Sequence, residues 1–263
     1  MRSEEQVALE ARTISERAMR GNVVIGTSGW NYENWKAGFF EGVPRKRWLE
    51  HCAEHFTGLE ANGTFYRLQS ESTFRNWIAR TPKDFTFAAK GHRFVTHNKK
   101  LMDPDQTVIT SRENMRPLQT KLAVVVWQLP ERFRLNLERL DGFARTLSRR
   151  WRSVRHALEF RHPSWFAAEV AEMMASHNLA VCQSDAASWP MWDAVTTDLV
   201  YLRLHGHGRT YHSRYTDGEL DQWSLKIRHW ADEGRATHVY FDNDAEGHAP
   251  YDALRLMDRV GRP

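Results

Sequence analysis

Short apolar and β-branched runs recur along the chain, separated by longer segments whose apolar residues return every three or four positions. The runs are VVIGTS (23–28), TGLEAN (57–62), FTFAAK (85–90), LAVVVWQ (122–128), RHALEFR (155–161), AVCQSD (180–185), LVYLRLH (199–205) and HVYFDND (238–244). Helical spacing fills most of the gaps, as in RKRWLEHCAEHF (45–56), NLERLDGFARTLSRRW (136–151) and DGELDQWSLKIRHWADEG (217–234). In MDPDQTVITSRENMRPL, Asp103 is placed to cap a helix whose first turn accepts Pro104. Eight strand signals alternating with helices predict an α/β fold, a closed TIM-type (β/α)8 barrel forming a single domain over residues 22–263. The sixth unit is the exception. SDAASWPMWDAVTTD contains Pro190 and no helical period, so an irregular segment or a missing sixth helix is expected there. Residues 1–21 read as a charged, amphipathic N-terminal helical arm, dispensable for folding.

Composition narrows the class. The 41% hydrophobic and 12% aromatic residues in a chain of 263 suffice for a large core and exclude a mainly disordered protein. No run approaches the roughly 18 apolar residues that span a bilayer, and the acidic start lacks a signal-peptide pattern, so the chain reads as cytoplasmic with no membrane partner. Cys52 and Cys182 lie far apart in apolar surroundings and read as buried thiols. A formal charge of +4 modestly favours anionic partners.

In a barrel of this kind the site lies where the strands end, and here the predicted ends are polar. They carry Ser28, Glu60 with Asn62, Lys90, Gln128, Glu159 with Arg161, Asp185, Arg203 with His205, and Asp242 with Asn243. Leu59 and Ala61 flank Glu60, and Leu202 and Leu204 flank Arg203, so alternation turns the charged residues inward. Asp242 and Asn243 are consecutive and cannot both face inward from a regular strand. Glu159, Arg161 and His162 sit within LEFRHPSW, where burying unpaired charge is costly. They therefore line a working cavity or belong to an ionic network that only holds the barrel together.

Several motifs, in order, resemble the YecE-like family, domain of unknown function 72. They are IGTSGWNYENWKAGFF (25–40), EANGTFYRL (60–68), WIARTPKDFTFAAKGHRFVTH (77–97), WQLP (127–130), EFRHPSW (159–165), YLRLHG (201–206) and VYFDNDAEGHAPYDALRL (239–256). The resemblance spans about residues 23–257 and implies a TIM barrel without implying a reaction. The chain departs from the family pattern at Gly63, where Ser is usual, at Asp242, where Asn is usual, and at Asp252, where Asn is frequent.

The candidate residues suit general acid/base chemistry on an anionic substrate. Glu60, Glu159, Asp185 and His205 are the candidates to move protons. Ser28, Trp30, Asn62, Tyr66, Lys90, Gln128, Arg161, His162, Arg203, Asp242 and Asn243 are the candidates to bind substrate. Cations among the carboxylates disfavour a catalytic metal, and neither GxGxxG nor a phosphate loop points to a cofactor. His51 and His55 lack the HExxH order and read as helix surface. Trp35 and Trp165 read as loop core, while Trp30 and Tyr66 are open to a ligand-stacking role. A small anionic molecule is the leading partner. Two alternatives remain, a barrel that binds nucleic acid or processes phosphodiesters, and a metabolite-binding module without turnover. The sequence leaves the oligomeric state open.

Overall fold

The computed structural model describes residues 23–261; the predicted N-terminal arm lies outside the described residues. Eight parallel strands form one sheet: β1 Val23–Thr27, β2 Gly58–Ala61, β3 Thr86–Lys90, β4 Leu122–Gln128, β5 Arg155–Glu159, β6 Ala180–Asp185, β7 Leu199–Leu204 and β8 Ala236–Phe241. Their order is β1-β8-β7-β6-β5-β4-β3-β2. A bridge between Ser28 and Glu60 brings the two ends together into a nearly closed barrel. The helices are α1 Trp48–His55, α2 Gly63–Tyr66, α3 Glu71–Ala79, α4 Pro104–Met115, α5 Leu137–Arg150, α6 Ala168–Ser176, α7 Asp217–Asp232 and α8 Ala249–Val260. No helix joins β6 to β7, as the Pro190 segment predicts. Among the described residues, no helix is long and apolar enough to cross a membrane.

Period-two alternation divides the core into two. Leu59, Ala61, Phe87, Val125, Leu158, Leu202 and Val239 face the helices in one large apolar cluster. Ala88, Val124, Val126, Ala157, Ala180, Cys182, Tyr201 and Tyr240 form a smaller cluster inside the barrel. The many small residues of this inner cluster leave room for the tyrosine rings, and the inward charges of the next layer rest on it.

Closure depends on glycine. The backbones of β1 and β2 approach so closely that a Cβ at Gly26 would lie 1.9 Å from the Gly58 carbonyl oxygen. Gly26→Ala is therefore expected to prise the seam apart and cost about 1–3 kcal/mol, the usual penalty of overpacking. Denaturant unfolding checks this, and an unchanged midpoint would mean that the seam opens freely.

Three local expectations need correction. Asp103 precedes α4 in a left-handed conformation (φ +43°), and its side chain makes no capping hydrogen bond, although Pro104 does open the helix. Strand β5 ends at Glu159 rather than residue 161. Pro163 lacks an N–H and keeps His162 extended, while β6 pairs with β5 only at Ala157 and Leu158. Strand β8 runs from Ala236 to Phe241, so Asp242 and Asn243 follow the strand instead of belonging to it.

Candidate active site at the barrel mouth

Arg203, on β7, is the hub of the mouth and is fully buried. Its Nε donates to both Glu60 oxygens at 3.1 Å, and its Nη1 donates to Glu159 Oε2 at 2.8 Å. Its Nη2 donates to Ser28 Oγ at 2.9 Å, Glu60 Oε1 at 2.8 Å and Asp242 Oδ2 at 2.9 Å. Glu60 also accepts from Tyr201 Oη at 2.6 Å and from the Ser28 hydroxyl. Glu159 Oε1 accepts from Arg161 Nε at 2.7 Å and from Ser184 Oγ at 3.3 Å. Burial alone would raise Glu159, but Arg161 and Arg203 outweigh it and hold the carboxyl well below its usual range.

These bonds bear on three of the candidate residues. Glu60 and Glu159 are the sequence's leading proton carriers, yet both are 0% exposed and their oxygens are already engaged. Arg203, expected to hold substrate, spends its donors on carboxylates of the protein. All three form the floor beneath the mouth. The guanidinium occupies the point where Glu60, Glu159 and Asp242 converge.

His205 is likewise fully buried. Its Nδ1 lies 3.0 Å from Asp242 Oδ2 but off the line of a hydrogen bond. Burial first and Arg203 second lower its proton affinity, which keeps the imidazole neutral at pH 7. Its Nε2 lies 3.4 Å from Arg203 Nη1 and 3.9 Å from Glu159 Oε1.

The rim above this floor is more open. Lys90, at the end of β3, is partly exposed; its carbonyl oxygen accepts from Thr64 Oγ1, but its ammonium makes no hydrogen bond or ion pair among the described residues and lies 4.4 Å from the Phe65 ring centroid. Burial, then Arg203, push its pKa down to about 8 against the pull of Glu159, Asp242 and Glu60. Arg161 lies flat over Trp189, with Cζ 3.9 Å from the ring centroid, and approaches Glu131 at 3.5 Å. Gln128 is buried, its Nε2 3.4 Å from the Leu129 carbonyl oxygen. Tyr211 stands edge-on to His205 at 5.5 Å, held there by a left-handed backbone (φ +67°).

Across the mouth, two aspartates differ. For Asp242, burial would raise the pKa, but the charges around it, Arg203 first, outweigh it and the net shift is downward. For Asp244, burial and the neighbouring Asp242 charge push the pKa up. The Tyr32 hydroxyl stands beside Asp244 and donates to the Ser28 carbonyl oxygen at 2.7 Å. Gly29 makes room for it: φ is +89°, and a Cβ there would lie 2.7 Å from that hydroxyl. Asn62 Nδ2 donates to Ser28 Oγ at 3.0 Å, and its Oδ1 is buried without a partner.

Other candidates lie elsewhere. Asp185 accepts from Tyr215 Oη at 2.9 Å and meets His207 Nδ1 at 2.8 Å, tying down the seventh loop. His162 accepts from the Ser164 N–H at 3.1 Å and caps the turn Pro163–Trp165. Asn243 points away from the mouth, donating to the Ser213 carbonyl oxygen and to Asp252 Oδ2, each at 2.9 Å. Trp30 is nearly buried and packs edge-on against Trp77 at 5.1 Å, whereas Tyr66 is 65% exposed. Trp35 and Trp165 are loop core, as expected. Ligand-capable atoms of His51, Glu54 and His55 lie within 4.8 Å of one another on α1, away from the strand ends, with both imidazoles edge-on to Phe39.

The sequence reading missed Tyr201, Ser184, Trp189, Tyr211 and Asp244. For Tyr201 and Ser184 a signal existed, since each shares inward parity with a charged residue on its own or the neighbouring strand (Ser184 is in register with Arg203). The other three lie on loops, where no period operates.

A parallel eight-stranded barrel with a buried ionic floor and a polar rim at its strand ends is a TIM-type barrel whose site belongs at that mouth. The chain belongs to the DUF72 family: the family described as "Protein of unknown function DUF72" matches residues 24–263. It is 22% identical to the UPF0759 protein YunF of Bacillus subtilis, over 90% of this chain and 94% of YunF. It is 28% identical to the UPF0759 protein YecE of Escherichia coli K12, over 60% of this chain and 55% of YecE. A DUF72 family protein from Thermotoga maritima superposes with a TM-score of 0.82 at 26% identity, covering 90% of this chain and 98% of the other. PbGH5A, a glycoside hydrolase family 5 enzyme from Prevotella bryantii, superposes at 0.51 with 9% identity over 94% of this chain and 98% of its own, a likeness of fold alone.

Proposed function

We propose that the mouth binds a small anionic molecule and moves protons on it. Lys90 carries this reading: among the cations around the ionic floor, it alone has no carboxylate partner within ion-pair distance among the described residues. An unpaired, partly desolvated ammonium is costly unless an anion compensates it. The outer edge of Arg161, fixed by Glu159 and Trp189, supplies a second positive contact. Asp242 and Asp244 supply the proton chemistry, because their surroundings push neighbouring carboxyls in opposite directions, one towards base and one towards acid. Arg203 at the centre of the carboxylates favours chemistry carried by side chains over chemistry carried by a metal.

The test is thermal unfolding with phosphorylated sugars, sugar acids, nucleotides and oligonucleotides. At about 100 times its Kd a ligand adds about 2.7 kcal/mol of stability, and Lys90→Met should abolish that gain. Binding should also weaken as pH rises through about 8, because Lys90 loses its proton there. Stabilisation indifferent to both pH and Lys90→Met would overturn the assignment. Stabilisation by oligonucleotides alone, with steep salt dependence, would favour the nucleic-acid alternative.

A further inference from the structure

We propose that the cleft between the β1 and β2 loops, running into the mouth, is a subsite for a sugar ring, so that the anionic substrate is a sugar phosphate or sugar acid. The inference rests on the anion-binding reading only for the position of the charged group. The cleft has a volume of about 490 Å³ and is lined by Trp30, Tyr32, Asn62, Tyr66, Gln69 and Trp77, with others. It shares walls with the mouth on two sides. On one, Tyr32 and Asn62 both bond to Ser28. On the other, the Lys90 ammonium lies over Phe65, whose ring stands 5.0 Å from that of Tyr66. Phe65 thus links the Tyr66 wall of the cleft to the Lys90 ammonium, and the proposal places the ring against Tyr66 with its charged substituent directed to Lys90.

The lining chooses among ring types. Asn62 Oδ1 is a buried acceptor without a donor, as a hydroxyl-bearing ligand requires. Gln69 Nε2 is bound to the carbonyl oxygens of Gly63 and Arg67 at 2.9 and 3.2 Å, which fixes its amide at the cleft. The rings meet nearly at right angles, 82° for Trp30 with Trp77 and 90° for Phe65 with Tyr66. These pairs make no parallel slot to sandwich a nucleobase, whereas a sugar needs one aromatic face and nearby hydrogen-bonding groups. Gly63 leaves the floor open: a Cβ there would meet the Gln69 amide alone, Nε2 at 3.4 Å and Cδ at 4.0 Å.

The experiment titrates the protein with glucose 6-phosphate, ribose 5-phosphate and glucuronate, using inorganic phosphate, AMP and methyl glucoside as controls. At least one sugar anion should bind roughly tenfold more tightly than inorganic phosphate, about the worth of one good aromatic contact. Tyr66→Ala, which truncates an exposed ring, and Gly63→Val, which fills the floor, should each remove that gain and leave phosphate binding unchanged. Sugar anions that bind no better than phosphate, or a gain that survives both variants, would overturn the subsite while leaving the anion reading intact. A Tyr66-dependent gain confined to AMP would also overturn it, in favour of a base. Methyl glucoside binding that depends on Tyr66, with no response to phosphate, would support the subsite and sink the anion reading. Silence from every compound would reject both.

Discussion

Arg203→Met should lower stability by about 3–5 kcal/mol, because it strands Glu60, Glu159 and Asp242 in a buried layer without their shared cation. In a chain of this length that is a fall in Tm on the order of 10 °C. The loss should depend on pH with a predictable sign. In the native protein Glu159 and Asp242 are held below their unfolded values, so their contribution is present above the ordinary carboxylate range and fades as pH falls. Without Arg203, Asp242 loses its main downward influence and its folded value rises, whereas Glu159 keeps Arg161. The stability that Asp242 contributes above the carboxylate range is then missing from the variant, so the loss should be larger at pH 8 than at pH 5. Denaturant unfolding at pH 5 and pH 8 checks this, and an equal loss at both would show that the carboxylates do not depend on Arg203. Arg161→Met should cost less, since Glu159 keeps its bond to Arg203.

Asp244→Asn should reduce turnover of a substrate found by the ligand search by about 10²–10⁴-fold, the usual share of one proton-transferring group, while leaving its binding largely intact. A substrate-free measurement reaches the same group. The Asp244 carboxyl should titrate above the ordinary aspartate range by carbon NMR, and Asp242→Asn should bring it down by removing the adjacent like charge. An ordinary titration, insensitive to Asp242→Asn, would remove Asp244 from the acid's role. Undiminished turnover by Asp244→Asn would do the same, and saturable binding without turnover of any ligand would favour the non-catalytic module.

Much of the frame was legible in the residues. β4 and β6 occupy the predicted ranges, and the alternation of Leu59-Glu60-Ala61 and Leu202-Arg203-Leu204 told correctly which side chains point into the barrel. That information is local, because a strand of period two assigns each residue a face whatever lies opposite. The same pattern is silent about partners across the barrel. That Arg203 spends its donors on Ser28, Glu60, Glu159 and Asp242, leaving Lys90 as the open cation, depends on how strands distant in sequence come together. Nor could alternation separate Asp242 from Asn243: β8 stops at Phe241, and only the packed loops send one to Arg203 and the other to Asp252. Asp244, Trp189 and Tyr211 lie on loops, the last in a left-handed conformation no periodicity foretells. The sequence by itself determined the barrel and the inward face of its charges, since both follow from repeated local patterns. Which charges are spent on one another and which stay open to a ligand was decided only by the tertiary structure, because pairing at hydrogen-bond distance is a property of the closed barrel.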